Sequence, residues 1–252
     1  VAAQRSASRI PIERSAASRA DETPVRDPMP QRHVLARRFG TLALVGIAAF
    51  VLACAAAQFL RTDLDWLRAP LSFYLVGPFG GWVQTSYFAL ALALISLGTG
   101  YYVALAHTAR SAAPLLLFVL AALSLGVTAT AHTGLPHQSV RLENVVHGIA
   151  AASAFLCVTT AMLLQSWRLR GDLAWRKRFR PAMAWSLICF VALWTDFLGH
   201  IEPRGLTQKV LIAMIVGWLA LAALWLRARH SVIPAQGPAP SPAAGRPAEW
   251  GR

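Results

Sequence analysis

Acidic residues are scarce in this chain. Eleven Asp and Glu stand against 24 Lys and Arg, and charged residues of both signs make up only 14% of 252. A soluble domain would carry about 25%. Cysteine is nearly absent. Cys54, Cys157 and Cys189 each fall inside an apolar run, with no C-x-x-C pair, which argues against a disulfide framework. There is no P-loop, G-x-G-x-x-G, G-x-S-x-G or H-E-x-x-H, and no internal repeat. The period-two alternation of a membrane barrel is also missing. What is present is apolar: 56% of the residues are hydrophobic.

These residues gather into six runs: Phe39–Leu60, Trp82–Ala106, Pro114–Ala131, Asn144–Trp167, Pro181–His200 and Leu206–Leu226. Crossing a hydrocarbon core takes about 20 residues. Lipid offers no hydrogen bonds to backbone, so each run is expected to be a helix. The expected fold is all-α: a polytopic membrane protein with a six-helix transmembrane bundle over residues 39–227. The flanks differ. Residues 1–38 are rich in Ser, Ala, Arg and Pro, lack the apolar core of a cleaved export signal, and read as a disordered basic tail. The working start is either Val1 or Met29. Residues 228–252 are Pro-rich and read the same way.

The net charge of +13 is distributed as a membrane protein requires. Nineteen of the 24 basic residues lie in the N-terminal tail, in the second and fourth loops and in the C-terminal tail; Arg61, Arg68, Arg141, Arg204 and Lys209 lie in the others. The positive-inside rule then puts both termini in the cytoplasm. The expected partners are the bilayer and its anionic headgroups at the cytoplasmic face, not nucleic acid. Trp175 in the basic fourth loop reads as an interface anchor.

The first outer loop, Arg61–Gly81, is long and apolar for a connection. Trp66, Phe73, Tyr74 and Trp82 suit the headgroup level, and Ser72 is its one small nucleophile. An interfacial segment folded over the bundle is expected. In the next run Ser96-x-x-x-Gly100 would allow close helix approach.

Chemistry concentrates between His132 and His147. The fourth run enters with Glu143-x-x-x-His147 and the fifth leaves with Asp196-x-x-x-His200. Each pair shares one helix face. Because the two helices are antiparallel, facing contact would set His147 level with Asp196 and Glu143 level with His200. A charge inside a bilayer costs several kcal/mol, so Asp196 needs a partner. Three readings stand open. The residues form a structural clasp; or His132, His137, His147 and His200, with Asp196 or Glu143, hold zinc or another imidazole-binding metal; or the acid–histidine set is the proton or substrate site of a carrier. With a metal, Ser72, His147 and Asp196 would serve hydrolysis of a lipid-like substrate.

Short motifs support a resemblance over Phe39 to Leu226. They are Arg68-Ala-Pro-Leu-Ser72 through Gly81-Trp82, the Gly134-Leu-Pro136 turn, His147 early in its helix, and Gly205-Leu-Thr-Gln208-Lys209. In these the chain resembles the six-helix bacterial membrane proteins known as domain of unknown function 998. The resemblance implies a six-helix bundle in a bacterial cytoplasmic membrane and no particular activity. Ser72 and His147 are its family-like positions. The expected function is an integral membrane protein with an outward-facing His/Asp/Glu site that binds or moves a small molecule, proton or lipid; a metal-dependent hydrolase and a non-catalytic scaffold are the alternatives.

Overall fold

A computed structural model of the protein describes residues 29–131, 142–199 and 202–228. Its helices are α1 (Met29–Leu60), α2 (Gly80–Ala104), α3 (Ala112–Thr130), α4 (Leu142–Leu169), α5 (Arg176–Gly199) and α6 (Arg204–Arg227), with a short 3-10 helix at Leu71–Leu75. Among the described residues there is no strand. All six helices are long and apolar enough to cross a membrane. Neighbours in the chain are neighbours in space, α6 closes the ring against α1, and α2 also reaches α6 across it. In their most apolar stretches α2 is 61% buried and α5 17%, so α2 is central and α5 peripheral.

All six helices begin before their apolar runs, four of them by two residues and α1 and α5 by more. α1 starts at Met29 rather than Phe39, because Gln31–Arg38 is built of helix-tolerant residues and its Ala36 is fully buried. The part of the N-terminal tail from Met29 to Arg38 is therefore helical; the rest, like the C-terminal tail from Arg229, lies outside the described residues. α5 starts at Arg176 and carries Pro181 in its second turn, not at its head.

Lipid is as apolar as leucine, so apolar burial does not drive these helices together. Leu52, Leu92, Leu123 and Ile188 are accordingly exposed on the outer surface of the ring. Close approach and hydrogen bonds act instead. A Cβ on Gly100 would lie 2.9 Å from Leu226 Cδ1 and 3.0 Å from Phe39 Cβ, so the small residue lets α1, α2 and α6 meet. Tyr101 donates to the Ala222 carbonyl (3.0 Å), Trp218 to Ala182 (3.1 Å) and Trp185 to Met214 (3.0 Å). Each such bond contributes about 0.6–2 kcal/mol. Trp175 is not an interface anchor: it is 1% exposed and packs its ring 5.2 Å from that of Tyr101.

At the other end of the ring the Arg61–Gly81 loop is folded down onto the helices. Arg61 donates from Nε and Nη2 to both Asp63 carboxylate oxygens (2.7 Å each), and from Nη1 to the Val76 carbonyl (2.6 Å). The loop's two ends are thereby joined through one buried guanidinium. The hydrogen bonds from Arg61 hold the Asp63 carboxyl below the usual carboxylate range. Tyr74, expected at the headgroup level, is fully buried under the loop, whereas Trp66 and Trp82 are exposed as expected. α6 supports the loop from beneath. Gly205 touches loop backbone, Gln208 Oε1 accepts from Leu71 N (3.1 Å), and Lys209 Nζ donates to the Trp66 carbonyl.

A Cβ at Gly205 would stand 2.6 Å from Arg68 C and 2.7 Å from the Ala69 oxygen, whereas one at Gly81 meets nothing within 4 Å. Gly205→Ala is expected to lower stability by about 1–3 kcal/mol and to open the loop to protease. Gly81→Ala should do neither. Thermal unfolding and limited proteolysis in detergent check both.

Candidate functional site

Under the loop lies a cavity of about 90 Å³, measured as the space open to the centres of water-sized molecules. Space for one water centre is about 10–15 Å³, so the cavity is a narrow slot rather than a chamber. Its walls follow one helical rule twice. On α4 they are His147, Ala151, Ala154, Phe155 and Val158; on α6 they are Gln208, Ile212, Ile215, Val216 and Leu219. Both sets run i, i+4, i+7, i+8, i+11, which is one face of a helix. Eleven residues at 1.5 Å each give a depth of about 16 Å. That is about half of a 30 Å hydrocarbon core. α2 adds Tyr87, Leu90 and Leu94, α3 adds Ala121, Leu125 and Thr128, α1 adds Phe50, and the 3-10 helix adds Ser72.

Polar groups crowd the loop end of this slot, and three of them, His147, Gln208 and Thr128, have their bonding partly committed. His147 is 6% exposed, and its Nδ1 lies 2.8 Å from the Ala131 carbonyl at the end of α3. A carbonyl only accepts, so Nδ1 carries the hydrogen, and in the neutral ring Nε2 holds the lone pair. Gln208 spends its amide oxygen on Leu71 N, leaving its NH₂. Thr128 donates to its own helix at Ser124 (2.8 Å). The hydroxyls of Ser72 and Tyr87 make no hydrogen bond to the described residues. The mouth of the slot therefore offers one lone pair on imidazole, one amide donor and the Ser72 hydroxyl, with the Tyr87 hydroxyl about two turns farther in on α2. Farther in, the lining is aliphatic and aromatic.

Only part of the expected site meets here. Ser72 and His147 line the same cavity. Asp196 is half-exposed on α5, a helix that contributes nothing to the lining, and among the described residues no hydrogen bond or ion pair joins it to His147. The ring of His147 is directed instead to α3, which packs against α4 more extensively than α5 does. Glu143 is exposed on the first turn of α4. His132, His137 and His200 lie outside the described residues, and the Glu143–His200 pair with them. Among the described residues no three His, Cys, Asp or Glu side chains gather as for a metal. His147 Nε2 is the one imidazole donor the described cavity supplies to zinc. Gln208 stood in the sequence only as part of a family-like motif, yet its spacing to Ile212, Ile215 and Leu219 copies that of His147 to Ala151, Ala154 and Val158.

A ring of six apolar helices, closed at one end by a loop over a slot, defines an integral, multi-pass membrane protein. The model of the family described as Protein of unknown function (DUF998) matches residues 44–225, and the chain belongs to that family. No curated protein matches significantly. Neither does any solved structure.

His147→Phe leaves the Ala131 carbonyl without its donor and should cost about 1–2 kcal/mol. Asp196→Asn should cost close to nothing, and the double variant should equal the sum within about 0.5 kcal/mol. Thermal unfolding of the four proteins measures this cycle. A larger coupling would restore the clasp between α4 and α5.

Proposed function

We propose that the protein binds a single-chain amphiphile from the outer leaflet, with the chain in the slot and the polar head at Ser72, His147 and Gln208. One observation carries this reading: the slot is about one leaflet deep and apolar, with polar side chains at its loop end. A two-chain lipid would not fit so narrow a space, and a small polar solute would leave the aliphatic depth unused. The excess of Lys and Arg at the opposite end supports placing the loop outside and both termini in the cytoplasm of a bacterial cell, with anionic headgroups around the basic end.

The test is retention of monooleoylglycerol by the detergent-purified full chain, read by native mass spectrometry. The wild type should keep one molecule. Ala154→Trp, which fills the slot at mid-depth, should keep none while retaining its helical circular dichroism. Equal retention by both proteins would end the reading.

A hydrolytic role has one observation in its favour. Ser72, with a free hydroxyl among the described residues, lines the same cavity as an imidazole whose Nε2 can take a proton. In that role Ser72 attacks an ester carbonyl of the bound amphiphile while Nε2 takes its proton and Gln208 donates to the developing oxyanion; the ester C–O bond breaks as Nε2 returns the proton to the leaving alcohol, and a water deprotonated by the same nitrogen then releases the acid from Ser72. Asp196 has no part in it, and zinc would need ligands beyond His147. A long-chain fluorophosphonate should then label Ser72 in the wild type and at least tenfold more slowly in His147→Gln. Absence of labelling in a protein that still binds monooleoylglycerol leaves binding alone.

A further inference from the structure

The turn between α4 and α5, at the end opposite the loop, is built more firmly than a topology signal requires. Asp172 is buried and faces inward. Its Oδ2 accepts from Ala106 N (2.9 Å) in the α2–α3 connection, and its Oδ1 accepts from Ala174 N (2.9 Å). Its carbonyl accepts from Trp175 N (3.0 Å) and Arg176 N (2.9 Å), starting α5. Trp175 pins the turn to Tyr101. Arg178 lies over the Trp175 ring (4.8 Å), and Arg170 lies over Trp167 (4.0 Å). The turn's one acid is thus spent on backbone, and Trp175 is spent on fixing its shape.

Outside this frame is an open concavity of about 670 Å³ lined by Arg170, Leu173, Arg176, Lys177, Phe179 and Arg180. Four of the six are cations and none is acidic. Arg176, Lys177 and Arg180 are exposed and make no hydrogen bond or ion pair to the described residues. They occupy the first five residues of α5, whose first turn has no acidic residue. The positive end of the helix dipole therefore adds to four like charges that repel one another. An anion in the concavity relieves that repulsion. Leu173 at the rim is 86% exposed, and Trp167, at the end of the fourth membrane-spanning helix and beside Arg170, is 49% exposed. A free anion gives these apolar groups nothing to contact. A phospholipid supplies phosphate and chain together.

We propose that the α4–α5 turn is a binding site for the phosphate headgroup of an anionic phospholipid, with Arg170, Arg176, Lys177 and Arg180 around the phosphate and Leu173 against the chains. The inner leaflet as its source rests on the orientation given above. The site itself does not, and it is independent of the slot.

The experiment uses the full chain in a neutral maltoside detergent, titrated with dioleoyl phosphatidylglycerol, dioleoyl phosphatidylcholine or inorganic phosphate and read by native mass spectrometry. Two variants each lose three charges from the same end. One is Arg176→Gln/Lys177→Gln/Arg180→Gln, in the concavity; the other is Arg37→Gln/Arg38→Gln/Arg227→Gln, outside it. Each surface cation adds about fivefold toward anionic lipid, so the first variant should lose on the order of a hundredfold in phosphatidylglycerol affinity. The second should stay within about threefold of wild type. An equal loss in both variants would mean diffuse surface charge and overturn the site. So would wild-type affinity in the first variant, equal affinity for phosphatidylcholine, or inorganic phosphate displacing the lipid at similar concentration. Should the first variant lose its helical circular dichroism, Leu173→Ser serves in its place: it keeps every charge and should weaken phosphatidylglycerol at least threefold without changing the response to salt.

Discussion

Gly205 lies against the backbone of Arg68 and Ala69, and the cavity depends on that contact. With no Cβ in the way, the first turn of α6 comes close enough for Gln208 to take the Leu71 N–H and for Lys209 to reach the Trp66 carbonyl. The loop is then held over the ring of helices and cannot stand off in water. A second constraint works from the loop's own ends, where Arg61 ties Asp63 to Val76. Both address the same difficulty: an irregular segment at the membrane boundary must find partners for its polar backbone within the protein.

The same economy shapes the mouth of the slot. His147 commits Nδ1 to Ala131 and keeps Nε2; Gln208 commits its oxygen to Leu71 and keeps its amide hydrogens. Each side chain is oriented by the bond it makes inside the protein and aimed by the bond it lacks. Such half-committed groups cost little where an amphiphile's head or water meets them, and would be costly farther down among Leu94, Val158 and Leu219. At the opposite end Asp172 follows the same pattern, spending its carboxylate on backbone so that the surrounding cations remain uncompensated.

The reading of acid-x-x-x-His pairs as two facing helix surfaces went beyond what spacing can carry. Spacing places Glu143 with His147 on one helix face, and Asp196 with His200 on another; it does not say that the faces meet. His147 turned to α3, and α5 stayed at the edge of the bundle with Asp196 half-exposed. Trp175 and Tyr74 misled for a related reason. Aromatics near a membrane boundary suit the interface, but a loop that folds inward buries the same side chains. Two of the stretches that carried the family resemblance, around Ser72 and from Gly205 to Lys209, proved to be opposite sides of one contact.

The sequence alone determined that the chain crosses a membrane six times as helices, because apolar length and the backbone's need for hydrogen bonds act locally and leave no other form. It also determined the repeated spacing on the fourth and sixth helices, each led by a polar residue. Which faces turn toward each other is set by small-residue contacts and single hydrogen bonds between distant segments, such as Gly205 with Arg68 or His147 with Ala131. Those contacts exist only once the helices have packed, so only the tertiary structure could show that His147 turns to α3 and lines a cavity with Gln208.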